Sequence, residues 1–461
     1  MSERRRGVAA SILDLIGDTP LVRLNRLAAG LPGRVAVKLE AFNPGGSIKD
    51  RLGLALVEDA ERSGALKPGG TIVEATSGNT GMGLALVAAV RGYRCVFVMP
   101  DKISEEKRAA LRALGAEVVI TPTEVDPEDP RSYYQVSRRL ADEIDGAVYA
   151  NQYHNPANPE AHYRSTGPEL WRQVGAEIHT LVCGLGTGGT VSGTGRYLKE
   201  RNPSIRVVGA DPVGSLYAEY FRTGRLGDAH GYKVEGIGED FIPSTIDFGV
   251  VDDVIQVGDR ESLVMTRRLA REEGLFVGGS TGTAVVVALG VAAEAPEGAL
   301  VVVLSPDSGE RYLSKVFNDD WMREHGFLDS GVEGSRVGDV LAAKGGREIL
   351  SVPASAGVRD AIALMREHAV SQLPVSDADG FIGVVSETTL LEGLFAGGSP
   401  ENEGSVEAFV NHEALHSLEA SRPVGDLARA FAEGGITVVT DDGQATGLLT
   451  PIDLLDFVSR R

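Results

Sequence analysis

A lysine, Lys49, follows the turn Pro44-Gly45-Gly46-Ser47 and opens an apolar helical pattern in NPGGSIKDRLGLALVEDAERSG. A cation in the first turn of a helix meets the positive end of the backbone dipole, so helix stability does not explain it. Most lysines are solvated surface groups. One held in a pocket sheds its charge more readily and can attack a carbonyl as a neutral amine. Gly45 and Gly46 let a ligand approach the backbone.

Three further segments carry chemistry of their own. In EATSGNTGMGLALVAAV a strand runs into a turn and then a helix, where free amides and the hydroxyls of Thr76, Ser77 and Thr80 suit a carboxylate. The bland reading is a helix cap. In TLVCGLGTGGTVSGTGRYLKE, Gly184, Gly186 and Gly189 satisfy a dinucleotide fingerprint, with Asp211 as the ribose-binding acid of such a site. The same GTGGT cradle, with its amides and threonines, suits a single phosphate monoester equally well. In GLFVGGSTGTAVVVAL a strand precedes Gly278, Gly279 and Ser280, and by itself Ser280 reads as the cap of the helix that follows. Together the segments offer an amine, two anion cradles and a hydroxyl, the set an aldehyde cofactor with a phosphate tail needs beside an amino-acid substrate.

The elements that must position these groups are α/β in character. Up to Leu328, runs such as RVAVKLE, RCVFVMP and LVVVLSP alternate with amphipathic patterns such as SEEKRAALRALG, which implies parallel sheets covered on both faces. The 461 residues fit two to four domains. Past a Gly- and Ser-containing link, VRDAIALMREHAVSQLPVSDADGFIGVVSETTLL recurs as VGDLARAFAEGGITVVTDDGQATGLLTPIDLL, aligning Gly383 with Gly447 and Ser386 with Thr450. The expected limits are 1–328 for the body, 329–336 for the linker, and 337–395 and 396–461 for the repeats.

A net charge of −20 argues against nucleic-acid and anionic-membrane partners. No stretch reaches the roughly 18 apolar residues of a membrane span, and the start lacks a cleavable leader, so a cytoplasmic location is expected. Cys95 and Cys183 lie in apolar runs as core thiols. His154 and His162 fall in a Pro- and Asn-rich loop without metal-ligand spacing, and no metal is expected.

From about Ile12 to Leu328 the motifs PGGSIKDR, TSGNTG, GLGTGGT and GGSTGT resemble the cysteine synthase and cystathionine β-synthase group of fold-type II pyridoxal 5′-phosphate enzymes. NQYHNPANPEAHY and LSPDSGERYLSKVFNDDWMREHGFL are closer to the cystathionine β-synthase branch than to simple sulfhydrylases, and the repeats resemble a pair of CBS domains. The resemblance implies a tryptophan-synthase-β-like body of two lobes with parallel sheets, followed by an α+β tandem CBS module. It implies that Lys49 binds the cofactor aldehyde and acts as general base, that Asn79 meets the ring hydroxyl oxygen, and that Ser280 meets the pyridine nitrogen. Gly186, Thr187, Gly188, Gly189 and Thr190 would hold the phosphate, and Thr76, Ser77, Thr80, Gln152, Tyr153 and Gly236 the substrate. A neutral serine at the ring nitrogen favours β-elimination over transamination. The implied reaction is transsulfuration by β-replacement, from L-serine and L-homocysteine to cystathionine, in a homodimer or homotetramer.

Two departures bear on this. Glu239 in VEGIGEDFIP stands where several relatives carry tyrosine, and the Cys and His pair of a haem-binding extension is absent, so no haem is expected. In the second repeat Thr450 and Asp453 match a ribose-binding hydroxyl and acid, implying an adenosyl ligand such as S-adenosylmethionine; the first repeat has Ser386 and Thr389 instead. The alternatives are an O-acetylserine or O-phosphoserine sulfhydrylase, an NAD-binding oxidoreductase, which gives Lys49 and Ser280 no role, and a lapsed enzyme retained as an adenosine sensor.

Overall fold

Strands that lack polar alternation need cover on both faces, and the chain supplies it with helices. The computed structural model describes residues 7–459 apart from 77, 102, 104, 124, 126–127, 329–334, 346–348, 379 and 396–403. The expected linker therefore lies largely outside the described residues. Two compact units, Met1–Phe327 and Leu328–Arg461, divide the chain.

The first unit holds β1 (Leu21–Arg23), β2 (Arg34–Leu39), β3 (Thr71–Ala75), β4 (Arg94–Pro100), β5 (Glu117–Thr121), β6 (Ala147–Tyr149), β7 (Ile178–Gly184), β8 (Arg206–Pro212), β9 (Asp253–Val257) and β10 (Leu300–Ser305). One sheet has the order β1-β2-β10-β7-β8-β9, the other β5-β4-β3-β6. Every described pairing is parallel except that of β1 with β2. The helices are α1 (Lys49–Arg62), α2 (Asn79–Arg91), α3 (Glu105–Ala113), α4 (Tyr133–Glu143), α5 (Ala157–Arg164), α6 (Thr166–Val174), α7 (Gly189–Arg201), α8 (Tyr217–Thr223), α9 (Asp259–Glu273), α10 (Gly279–Glu294) and α11 (Asp319–Glu324).

Some local expectations fail. The segment before Gly278 is not a strand; Val277 makes one isolated bridge, to Ser308. The Pro- and Asn-rich stretch is helical at α5, where buried Asn158, Ala161 and His162 supply an inward face. The short β1, β6 and β9 lack the fully buried pattern of β3 and β10, which is why they do not stand out in sequence.

A buried charge cluster anchors the start of α1. Lys38 of β2 pairs with Glu169 of α6, while Arg51 of α1 binds Glu40 at 2.7 Å and Glu169 at 2.9 Å. Burial alone would raise the Glu169 carboxyl, but Arg51 and Lys38 outweigh it and hold it down at about 2. Every charge in the cluster has a partner, which a desolvated ion requires.

The second unit contains β11 (Val352–Pro353), β12 (Gln372–Ser376) and β13 (Phe381–Ser386) in one sheet, and β14 (Leu415–Glu419), β15 (Ile436–Asp441) and β16 (Gln444–Leu449) in another. Its helices are α12 (Val337–Lys344), α13 (Val358–His368), α14 (Glu387–Phe395), α15 (Val424–Ala432) and α16 (Pro451–Ser459). The repeat is visible in the register: Val375 faces Gly383 and Val439 faces Gly447, each followed by a bulge on the same strand. The cores cross over. Val337 and Val340 of α12 pack with Leu427, Leu449 and Phe457, whereas Val406 packs with Val352 and Val385. A cut at 395/396 thus separates the repeats in sequence without separating their cores.

Candidate active site

The turns after β3, β7 and β10 converge at the carboxyl ends of the strands, the usual ligand position in a parallel sheet. They enclose a cavity of about 710 Å³. Lys49, on its wall, is the first residue of α1. Burial strips its amine of hydration and lowers its pKa to about 8, with Glu239 and Asp307 opposing that shift. A substantial neutral fraction therefore exists near neutral pH. Glycines hold α1 against α2: a β-carbon on Gly83 would overlap the Lys49 carbonyl oxygen, and one on Gly53 would overlap the Gly83 carbonyl.

Asn79 and Thr80 begin α2 and line the same cavity. Asn79 donates from Nδ2 to Asp307 at 2.7 Å and accepts at Oδ1 from Arg311. Thr80 donates to Gln152 Oε1 at 2.6 Å, and Gln152 donates to the Ala75 carbonyl at 3.1 Å. Beneath them the buried Glu74 accepts from the Asn151 amide at 2.6 Å and the Gln152 amide at 3.3 Å. Burial raises its carboxyl to about 8 against the pull of those bonds. Thr76 is not on the wall; its hydroxyl accepts from the Gly78 and Gly81 amides at 3.0 and 3.2 Å and braces the turn from behind. Ser77 lies outside the described residues.

The glycine turn between β7 and α7 forms another wall, with Gly186, Thr187, Gly188 and Thr190 facing the cavity. Gly188 has φ 82°, a left-handed conformation natural to glycine. A β-carbon on Gly186 would stand 2.8 Å from the Gly236 carbonyl oxygen, so Gly236 both lines the cavity and backs this turn. Gly189 does not line it; a side chain there would overlap Asn158. Asn158 donates to Thr187 at 2.9 Å, and His162 Nε2 lies 3.2 Å from the Thr190 hydroxyl. Burial keeps His162 neutral, with Nδ1 2.9 Å from Thr166. Asp211 is fully buried and accepts from the Ala218 amide at 3.1 Å, so it holds the start of α8 rather than a ribose.

Ser280 is the second residue of α10, two positions past the cap, which Gly278 holds. Its hydroxyl faces the cavity and makes no hydrogen bond to the described residues. Tyr133, Tyr134, Tyr153 and Glu239 also line it. Glu235 joins Lys107 of α3 and Lys315 at 2.5 Å each, tying the smaller sheet's layer to the larger at the rim. Sequence reasoning missed Asp307, Arg311, Asn158 and His162 as participants. The quoted PDSGERY and NPANPEAHY segments contain them, but nothing in their spacing points to the turns they brace.

The residues present fit pyridoxal phosphate: an amine of lowered pKa, an unengaged hydroxyl, and a glycine turn at the start of the 13-residue α7, whose first amides lack intrahelical partners. In the second unit, Thr450 donates to Asp453 at 2.7 Å and Lys344 of α12 donates to the same carboxylate oxygen at 2.8 Å. At the matching place in the first repeat, the Ser386 amide donates to the Thr389 hydroxyl at 2.9 Å.

Residues 12–307 match the family described as pyridoxal-phosphate dependent enzyme, and residues 337–396 match the CBS domain. Cystathionine beta-synthase of Dictyostelium discoideum is 38% identical over 465 residues, covering 98% of this chain and 92% of that protein. The Mus musculus protein of that name is 39% identical, covering 98% and 86%. The crystal structure of an O-acetylserine dependent cystathionine beta-synthase from Helicobacter pylori has a TM-score of 0.62 at 40% identity, covering 67% of this chain and 98% of that one. Among the described residues no helix is long and apolar enough to cross a membrane, and no group of three His, Cys, Asp or Glu is disposed to hold a metal ion.

Proposed function

The chain belongs to the family of pyridoxal-phosphate dependent enzymes, and we propose that it joins L-serine to L-homocysteine by β-replacement, giving cystathionine. When bound, the cofactor supplies an electron sink for charge developing at the substrate α-carbon. Lys49 holds the aldehyde carbon and moves the α-proton, a task suited to an amine titrating at about 8. Ser280 would donate to the ring nitrogen without charging it, and Asn79 would donate to the ring oxygen. Gly186, Thr187, Gly188, Gly189 and Thr190 hold the phosphate, Gly189 by allowing close packing. The α2 start, with Thr80, Gln152, Tyr153, Gly236 and Ser77, receives the substrate; Thr76 shapes the turn.

The observation carrying this reading is the half-buried Lys49 amine in one cavity with the α7 glycine turn and the unengaged Ser280 hydroxyl. Borohydride reduction of the isolated protein should label the peptide containing Lys49, and Lys49→Ala should fold without a visible absorbance band. Retention of colour and turnover in that variant would overturn the assignment. Mass spectrometry of products from serine with homocysteine, beside O-acetylserine with sulfide, tests the substrates. The Helicobacter pylori relative, O-acetylserine dependent by its description, favours the acetylated donor as the second reading.

For the second unit the proposal is an adenosyl ligand such as S-adenosylmethionine at Thr450 and Asp453. Support comes from the hydroxyl and acid lying together at 2.7 Å. Calorimetry with S-adenosylmethionine should give saturable heat in the wild type that Asp453→Ala abolishes. No heat in the wild type removes the regulatory role.

A further inference from the structure

We propose that Arg311 is a positioning residue that locks the Asn79 side-chain amide with its nitrogen toward the cavity. The inference rests on the reading that this cavity holds pyridoxal phosphate. Arg311 lies on the 3-10 turn Gly309–Tyr312 that follows β10. One guanidinium nitrogen donates to Asn79 Oδ1 and the other to the Gly45 carbonyl, in the loop that leads to Lys49. On the other side of the amide, Asn79 Nδ2 donates to Asp307 Oδ2 at 2.7 Å, and the Tyr312 hydroxyl holds that same oxygen at 2.6 Å.

These partners permit one orientation of the amide. A guanidinium can only donate and an ionised carboxylate can only accept. Turned over, the amide would set its carbonyl oxygen against Asp307 and its NH₂ against Arg311, two contacts of like character. With Arg311 in place, Nδ2 keeps one hydrogen beyond the bond to Asp307, and Asn79 stands on the cavity wall. An electron-rich ring oxygen is attracted by that N–H and repelled by a carbonyl oxygen. Arg311 therefore sets the sign of the contact that Asn79 offers, and ties it to the loop carrying Lys49.

The test is titration of pyridoxal phosphate into apoprotein, with the visible spectrum recorded, for wild type, Arg311→Ala, Arg311→Lys, Asn79→Ala and the double alanine variant. Arg311→Ala should weaken binding roughly ten-fold, the loss of one charge-assisted contact, and move the absorbance band toward that of Asn79→Ala. Arg311→Lys, which still donates, should restore part of both. In the double variant, affinity should stay within about two-fold of Asn79→Ala alone, because the two act as a unit. Effects that multiply, or a band that Arg311→Ala leaves unmoved, would overturn the proposal. Should Arg311→Ala fail to fold by circular dichroism, Arg311→Lys in the two Asn79 backgrounds decides by the same comparison. A wild-type chain that binds no pyridoxal phosphate would overturn the cofactor reading itself, a result distinct from a normal wild type with independent variants.

Discussion

Gly83 of α2 lies directly against the backbone carbonyl of Lys49, so close that no side chain fits between them. This contact, repeated at Gly53, sets where α1 begins relative to Asn79 and Thr80. Helices packed through glycines are held by backbone shape, which adjusts less than side chains do.

Gly83→Ala should therefore force α1 and α2 apart. Overpacking of this kind costs about 1–3 kcal/mol, and more where the neighbour is backbone. Urea unfolding should show the loss. Cofactor binding should weaken as well, because Lys49 moves with the helix; unchanged stability would mean the helices slide apart at no cost.

Lys49 titrates at about 8, below the ordinary lysine value, because burial disfavours its charge. Only the neutral amine condenses with an aldehyde, so the rate of pyridoxal phosphate incorporation into apoprotein should climb through about pH 8 and then level. For stability, a depressed folded pKa means the unfolded chain holds more protons above about pH 8, so this group favours folding increasingly as pH rises from there toward 10.5. A rate profile flat between pH 7 and 9 would contradict the lowered value.

Glu74 works with the opposite sign. Burial raises its carboxyl to about 8, so its contribution to stability is complete below the ordinary carboxyl range and is lost as pH climbs through about 8. Asp50, raised by burial to about 7, slopes the same way but finishes earlier. Thermal unfolding between about pH 5 and 8 should show a falling midpoint in the wild type and a flatter one in Glu74→Gln. Identical slopes would place the titrating group elsewhere.

Arg51 neutralises Glu40 and Glu169 where neither reaches water. Arg51→Met leaves the two carboxylates without it and should destabilise the body by about 3–5 kcal/mol. Chemical denaturation measures this directly, and a loss under about 1 kcal/mol would show that Lys38 and water compensate.

Alone, Ser280 read as a cap and the glycine turn fitted two ligands, so the roles of Lys49, residues 186–190 and Ser280 came from the four segments together and from the family resemblance. The turns that carry them were legible in the sequence because glycines at a helix start are a local signal. The repeat was legible for the same reason, and the register confirms it, with Gly383 and Gly447 opposite equivalent valines. Partnerships between distant segments were not. Asn79 and Arg311 are 232 residues apart, and they meet because β10 inserts between β2 and β7 and delivers the turn after it to the cavity. The fate of Thr76, whose hydroxyl turns inward to brace its own loop, and of α12, which packs with the second repeat, likewise depended on how segments fold back on one another. Short-range spacing determines which groups are available and which turn each can make. Only strand order and close packing decide which of them face one another, since those contacts arise from the burial of surfaces far apart in the chain.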